Sequence, residues 1–464
     1  MAEIGNYKHM KNVIGIIREG LSKKGEKRVA ITPEYAKQII EWGHRLIVQP
    51  AVNPKTGEIK RAFPDILYKR IGAEISEDIS PADVIFGLKE IHHSRILPDK
   101  VYLLFSHTHK GQVKNRIMLK TFIDNKSTII DYELITDEQN KRAITAFTYN
   151  AGYTGMVDSL WTLGKRLKIR GIHNPFEPIL QSVEEEHLYK AKESFEHAAH
   201  KIITRGTPKK LPPMIVCFLG RGKTAKGARE MFDLLPHEDI TIDRLQDVFE
   251  NGSRNKLYAL HISRDTIFRL NKNALHLKEK YDALTPGEKR SFYGKNPRYF
   301  ESNLDKVLPY ITVLMNCITW SPEYPRTITK SMMNSIYKNF QTLQVIGDIT
   351  CDPNGSIEFS KEMWIDDPVF IYNPLTGNIK DGFEGKGIAV MAVTNLPCEF
   401  SADASTQFSE NIYPFLKNIV SADYKSTIDE SGLMPDIRRA VILWKGQFTE
   451  RYKYMNDYLT QLAT

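Results

Sequence analysis

Cysteine is scarce in these 464 residues, with four in all, Cys217, Cys317, Cys351 and Cys398. They lie far apart and form no CxxC pair, which excludes a disulfide framework and a structural zinc and fits a reducing compartment. Cys217 sits in an apolar run, where a buried thiol is inert. No apolar run approaches the roughly 20 residues of a membrane span. The opening MAEIGNYKHMKN also lacks the apolar core of a signal peptide. A cytoplasmic protein without membrane partners is therefore expected. Dense basic blocks are missing too, although Lys and Arg outnumber Asp and Glu by 64 to 56 and the formal net charge is +8. Charge spread this evenly favours anionic small molecules over nucleic acid.

What is present is a long α/β pattern. The 41% hydrophobic content is globular, and the length predicts roughly two or three domains. Strands are expected at Asn12–Ile17, Arg45–Gln49, Asp83–Gly87, Val101–Ser106 and Ser127–Asp131, with a helix at Thr32–Trp42 opened by Thr32 as N-cap and Pro33. Strands alternating with helices predict a parallel, doubly wound sheet, whose ligands bind beyond the carboxyl ends of the strands. Arg18, Lys89, His107 and Glu133 leave four of these strands. Two cations, an imidazole and a carboxylate on one rim would make an acid–base site for an anionic substrate. His107 and His109 are spaced like a metal pair, but no carboxylate or thiol partner has ligand spacing, so no metal is expected.

Ala143–Lys168 reads as a connecting helix, Ser182–Arg205 as a charged surface helix, and Thr207–Pro213 as a linker. Met214–Leu219 is then an apolar strand followed by Gly220-Arg221-Gly222 and a helix over Lys226–Leu235. Strand, Gly-rich turn and helix open a dinucleotide-binding unit, with pyrophosphate at the helix N-terminus. Further strands are expected at Ile240–Ile242 and Lys256–Leu260, within Val307–Trp320, and at Thr342–Ile349 and Gly387–Val393, with Asn273–Asn303 a surface insertion. Ser405–Val420, interrupted at Pro414, and Asp436–Leu462 read as helices. The expected fold is two doubly wound Rossmann-like domains with an interdomain cleft. Residues 1–148 would form the substrate domain and 149–397 the dinucleotide-binding domain. The C-terminal helices of 398–464 would return to the first domain.

Ile17-Arg18-Glu19 with Glu26–Pro33 resembles the N-terminal signature of the alanine dehydrogenase, transhydrogenase and saccharopine dehydrogenase superfamily. A nearer resemblance, to the lysine–2-oxoglutarate reductase domain of α-aminoadipic semialdehyde synthases, runs nearly end to end. It passes through Phe86–Lys89, Phe105–Lys110, Ile130–Glu133, Ala151–Met156, Phe218–Gly222, Asn316–Trp320, Gly347–Asp352, Gly355–Phe359, Asn395–Pro397 and Arg451–Tyr454. The resemblance implies condensation of L-lysine with 2-oxoglutarate and reduction to saccharopine. It implies Lys89 and His107 as an acid–base pair, Arg18 and Arg142 as carboxylate-binding arginines, Glu133 beside the catalytic lysine, and Asp352 at the cofactor. The sequence departs from its relatives at Thr394, where Asp is usual, and at Arg221 and Lys223, where small or neutral residues are frequent. Fused relatives carry a second dehydrogenase domain. The roughly 10 residues after Tyr454 cannot make one, so a monofunctional reductase is expected. A homo-oligomer stays open.

Cofactor choice is read by counting. About 20 residues beyond Gly220, where an acidic residue would bind the ribose of NAD, lies Asp239–Arg244. A strand at Ile240–Ile242 ends without a carboxylate, and Arg244, with Arg221 and Lys223, suits the extra phosphate of NADPH over NADH. Asp243 as the ribose carboxylate is the counter-reading. Lysine-forming saccharopine oxidation, an alanine dehydrogenase-like deamination and a nonenzymatic dinucleotide-binding protein remain as alternatives.

Overall fold

The computed structural model describes residues 11–20 and 25–460, so Met1–Met10 and the last residues of the expected Asp436–Leu462 helix lie outside the described residues. The chain divides into two compact units. One runs to Ala146 and resumes at Ser401, and the other is Phe147–Phe400.

The first unit begins with six strands: β1 (Val13–Ile16), β2 (Arg45–Val48), β3 (Glu74–Ile75), β4 (Val84–Phe86), β5 (Val101–Leu104) and β6 (Thr128–Asp131). Between them lie α1 (Pro33–Glu41), α2 (Asp65–Arg70) and α3 (Arg116–Asp124). All six strands pair in parallel, in the order β6-β5-β4-β1-β2-β3. β4 to β6 are buried at every position, as sheet centres covered on both faces must be. Thr32 precedes α1 as expected, but its hydroxyl makes no capping bond.

In the second unit α4 (Thr148–Ile169), α5 (Ser182–Glu185) and α6 (Leu188–Arg205) come first. The single helix expected over Ser182–Arg205 is broken at Glu186, whose φ of 63° no α-helix continues. β7 (Ile215–Leu219), α7 (Lys223–Phe232), β8 (His237–Ile240), α8 (Leu245–Asn251) and β9 (Leu257–Ile262) follow. The expected strand at Ile240–Ile242 is thus displaced, because Ile242–Arg244 is a turn of 3-10 helix. The Asn273–Asn303 insertion lies within α9 (Arg264–Ile267), β10 (Phe268–Leu270), α10 (Lys278–Asp282), α11 (Pro286–Lys295) and the antiparallel partner β11 (Phe300–Ser302). It lies mostly at the surface, as expected, and contributes Tyr293 and Phe300 to a buried cluster. β12 (Val313–Asn316), α12 (Lys330–Tyr337), β13 (Val345–Asp348), β14 (Val369–Tyr372), β15 (Ile379–Asp381) and β16 (Ile388–Met391) complete the unit.

The second sheet has the order β15-β14-β16-β13-β12-β7-β9-β8. β7 lies between β12 and β9, while β8 pairs only with β9 at the edge. Burial explains this arrangement. β9, LYALHI, is buried at all but one position and suits a sheet interior, whereas β8, HEDI, is polar and suits an edge. The two crossovers run in opposite directions, so right-handedness puts α7 and α8 on opposite faces. Ala228 and Met231 accordingly join one core cluster, and Leu245 and Val248 the other.

The chain then returns to the first unit through α13 (Ser401–Ser421), which runs unbroken through Pro414. The apolar stripe of Phe408, Ile412, Leu416 and Ile419, all buried, outweighs the one missing N–H. The long helix expected at Asp436–Leu462 does not form. A turn of helix at Pro435–Arg438 leads into β17 (Val441–Trp444) and β18 (Gln447–Phe448). VILW suits a strand, and Lys445 and Gly446, both at positive φ, make the two-residue hairpin turn. β17 pairs antiparallel with β6 and extends the first sheet.

Candidate active site

Arg18, Lys89, His107 and Glu133 follow the carboxyl ends of β1, β4, β5 and β6, four neighbouring strands. Two buried carboxylates shape the loops that carry them. Glu19 accepts the backbone N–H groups of Leu88 (2.7 Å) and Lys89 (3.0 Å), joining the end of β1 to that of β4. Asp131, fully buried, accepts the Ser106 N–H (3.0 Å) and hydroxyl (2.5 Å) and the Glu133 N–H (2.8 Å), joining β5 to β6.

His107 has φ 51°, a left-handed conformation uncommon for a residue with a side chain. Its Nδ1 lies 2.8 Å from Glu90 Oε1. Glu90 is a residue the sequence reading passed over, because it directly follows Lys89 and carries no motif of its own. With Glu90 ionised, Nδ1–H donates to it and Nε2 is left as the basic ring atom. His109 faces elsewhere, 3.8 Å from Asp131 and 3.6 Å from Glu133. Glu133 meets Lys110 Nζ at 2.8 Å and Arg142 at 2.8 Å. Burial works to raise its pKa, but Lys110, Arg142 and His109 together hold it below the usual carboxylate range. Arg142 is thus engaged by Glu133, and Lys110 is a partner the sequence did not single out.

Arg18 makes a two-pronged ion pair with Glu77, at 2.5 and 2.8 Å. Both residues line a cavity of about 570 Å³ together with Glu19, Gln49, Glu90 and Arg95. Arg95, whose pKa burial lowers, donates to Gln49 (3.1 Å) and to the Arg18 carbonyl (3.2 Å), bracing the end of β1. Glu90 therefore joins this cavity to His107. The signature around Glu26–Thr32 has a structural purpose. Glu26 and Arg28 form a buried ion pair (2.6 Å), and Ser405 and Ser409 of α13 accept the Val29 and Thr32 N–H groups at 3.0 Å each.

In the second unit the Gly-rich turn follows β7. Gly220 has φ 95° and packs against the Cys317 and Ile318 segment after β12, so a side chain there is excluded. A Cβ on Gly222 would meet no atom within 4 Å. Gly222 is also the N-cap of α7 and has no side chain to occupy the first N–H groups. An open turn at the start of a 10-residue helix fits a dinucleotide pyrophosphate. Arg221 and Lys223 are exposed beside it. Gly227 serves packing instead. A Cβ there would sit 2.2 Å from the Tyr149 carbonyl of α4. At the ends of β12 and β13, buried Asp348 accepts from Asn316 (2.8 Å) and Ser360 (2.5 Å) and orders the loop to Asp352. Burial, then the nearby Asp348, raises the Asp352 pKa. Arg244 stands apart from this group. It pairs with Asp247 after the edge strand β8, and β9 lies between β8 and the Gly-rich turn's strand.

Residues 15–154 match the alanine dehydrogenase/PNT N-terminal domain family, and residues 322–451 match its C-terminal domain family. The chain belongs to the alanine dehydrogenase/saccharopine dehydrogenase superfamily. Within that superfamily of dinucleotide-dependent oxidoreductases, it is 32% identical to alpha-aminoadipic semialdehyde synthase of Arabidopsis thaliana over 96% of this chain and 41% of that protein. It is 30% identical to the mitochondrial alpha-aminoadipic semialdehyde synthase of Bos taurus over 96% of this chain and 48% of that protein. The chain thus spans under half the length of these relatives. A saccharopine dehydrogenase [NAD(+), L-lysine-forming] of Emericella nidulans is 22% identical over 85% of this chain and 89% of its own. Among solved structures, an L-alanine dehydrogenase superposes with TM-score 0.59 at 14% identity, covering 97% of this chain and 99% of that one. The transhydrogenase of Sinorhizobium meliloti gives TM-score 0.54 at 14% identity over 94% of this chain and 100% of that one, and both speak to the fold. Among the described residues, no helix is long and apolar enough to cross a membrane.

Proposed function

We propose that this chain joins L-lysine and 2-oxoglutarate reductively to give saccharopine, with NADPH as the reductant. The observation that carries the reading is the Glu90–His107 hydrogen bond at 2.8 Å, beside Lys89 and the cavity bordered by Arg18. The ε-amine must lose a proton before it attacks the keto carbon, and His107 Nε2 takes that proton. The resulting carbinolamine loses water once its hydroxyl is protonated, a task for the Lys89 ammonium, and leaves a protonated imine. When bound, the dinucleotide supplies the hydride that converts this imine to the secondary amine. Arg18 holds a substrate carboxylate through its planar fork. The mobile protons thus belong to a strand-end pair and the fixed charges to its neighbours.

Oxidation of NADPH followed with lysine, ornithine or alanine against 2-oxoglutarate or pyruvate tests the reading. Turnover is expected only with lysine and 2-oxoglutarate together, with saccharopine as product. Lys89→Met and His107→Ala should each lower kcat on the order of 100-fold, the usual scale for losing a general acid or base. Turnover with ammonia and pyruvate would transfer the chain to the alanine dehydrogenase reaction, and wild-type rates in both variants would remove the acid–base roles.

A further inference from the structure

We infer that Arg264, at the carboxyl end of β9, is the residue that reads the 2′-phosphate of the dinucleotide's adenosine ribose, the place that counting along the sequence assigns to Arg244. The inference rests on the dinucleotide-binding reading of the second unit and follows from its strand order. In Rossmann sheets the adenosine ribose is read from the strand beside the one that feeds the Gly-rich turn. The reason is distance: an adjacent strand lies roughly 4.8 Å away, a second neighbour roughly 10 Å. Usually the adjacent strand is the next one in sequence, which is why counting about 20 residues works. Here it is not.

β7 pairs with β9 along its whole length, from Ile215 opposite Tyr258 to Leu219 opposite Ile262. The Gly220 N–H then donates to the Ile262 carbonyl at 3.0 Å, carrying the pairing into the Gly-rich turn itself. The residues that follow β9 are Ser263 and Arg264, the first residue of α9, so Arg264 leaves the sheet level with Arg221. Arg264 is exposed, and its guanidinium lies 5.7 Å from the centre of the Tyr293 ring, which steadies it by a cation–π contact. Lys289 and Arg290 of α11 border the same small hollow. His261, one strand position before the sheet end, has its pKa lowered by burial and then by Arg229, with Arg221 adding to the effect and Asp239 and Asp233 opposing it. Arg221 and Arg264 thus leave neighbouring strands at the same level, and Lys289 and Arg290 border the hollow beside Arg264. A dianionic phosphate matches that field, and a bare ribose hydroxyl gains little from it. Arg244, after the edge strand, is spent on Asp247 at 3.1 Å.

Direct titration of the full chain with NADPH, NADH, 2′,5′-ADP and 5′-AMP, without lysine or 2-oxoglutarate, separates this assignment from the proposed reaction. The wild type should bind NADPH more tightly than NADH and 2′,5′-ADP more tightly than 5′-AMP. Arg264→Ala should raise Kd for NADPH and 2′,5′-ADP by roughly 10- to 100-fold, the scale of a lost charged hydrogen bond. Its affinity for NADH and 5′-AMP should hold within about 2-fold, which also reports that the variant is folded. Arg264→Lys should retain part of the preference, and Arg244→Ala all of it. Equal losses for both dinucleotides in Arg264→Ala, no loss at all, or a selective loss in Arg244→Ala would overturn the assignment. A wild type that prefers NADH would overturn it as well, and one that binds neither dinucleotide would overturn the underlying reading.

Discussion

At the scale of single residues, the candidate site is a set of charges already satisfied by one another. Arg18 is the clearest case, because its fork is filled by the Glu77 carboxylate, and Glu77 is itself 44% exposed. A substrate carboxylate would take the place of Glu77 without any change in the geometry around Arg18. Glu77→Gln should therefore lower KM for the carboxylate-bearing substrate several-fold, on the order of the ~1 kcal/mol of a partly exposed ion pair, while kcat holds. Arg18→Ala should raise KM. Unchanged KM in both variants, read from steady-state rates, would remove Arg18 from the binding site. Sequence alone placed Arg18, Lys89, His107 and Glu133 after the ends of strands, because each follows an apolar run long enough to be recognised as one. It missed Glu90 and Lys110, whose importance depends on which way two loops fold back. The left-handed turn at His107 sends its ring to Glu90, while the ring of His109 meets Glu133.

Among the elements, α4 and α7 set the tightest constraint. The helices cross through Gly152 and Gly227, where added Cβ atoms would lie 2.1 Å from the Thr224 carbonyl and 2.2 Å from the Tyr149 carbonyl. Backbone cannot step aside as a side chain would. Gly227→Ala should cost about 3 kcal/mol, the upper range for overpacking, and lower the melting temperature by roughly 5–10 °C. A melt matching the wild type would mean that α4 and α7 can part. Gly227 falls inside the helix expected over Lys226–Leu235, but the helix packed against it is not legible there. The strand order of the second sheet was hidden for a similar reason. The polarity of His237–Ile240 marks an edge strand, and counting residues from Gly220 ignores that signal. The C-terminal hairpin was misread as helix because Val441–Trp444 is a continuous apolar run, which periodicity alone does not separate from a buried helix.

For the molecule as a whole, one buried pair links stability to pH. Asp158 of α4 and Glu399 are both buried in the second unit. Desolvation raises both, Asp158 to about 6 and Glu399, with Asp158 beside it, well above its ordinary value. Folded values above unfolded ones mean that the stabilising contribution is complete below about pH 4 and is lost as pH rises through the folded values. Wild-type melting temperature should fall as pH rises through about 6 and continue to fall above it as Glu399 ionises. Glu399→Gln, which cannot ionise, should flatten the decline, and parallel slopes for the two proteins would refute the linkage. A different consequence follows from the strand that closes the first sheet. Ile130 pairs with Val441 in the finished protein, and a ribosome adding roughly 5–20 residues per second needs on the order of 15–60 s to make the stretch between them. Through that interval the outer edge of β6 has no partner, while the second unit emerges whole and can fold. The newborn chain therefore carries an open strand edge until Val441 is made, and it is in those seconds that a chaperone has the most to protect.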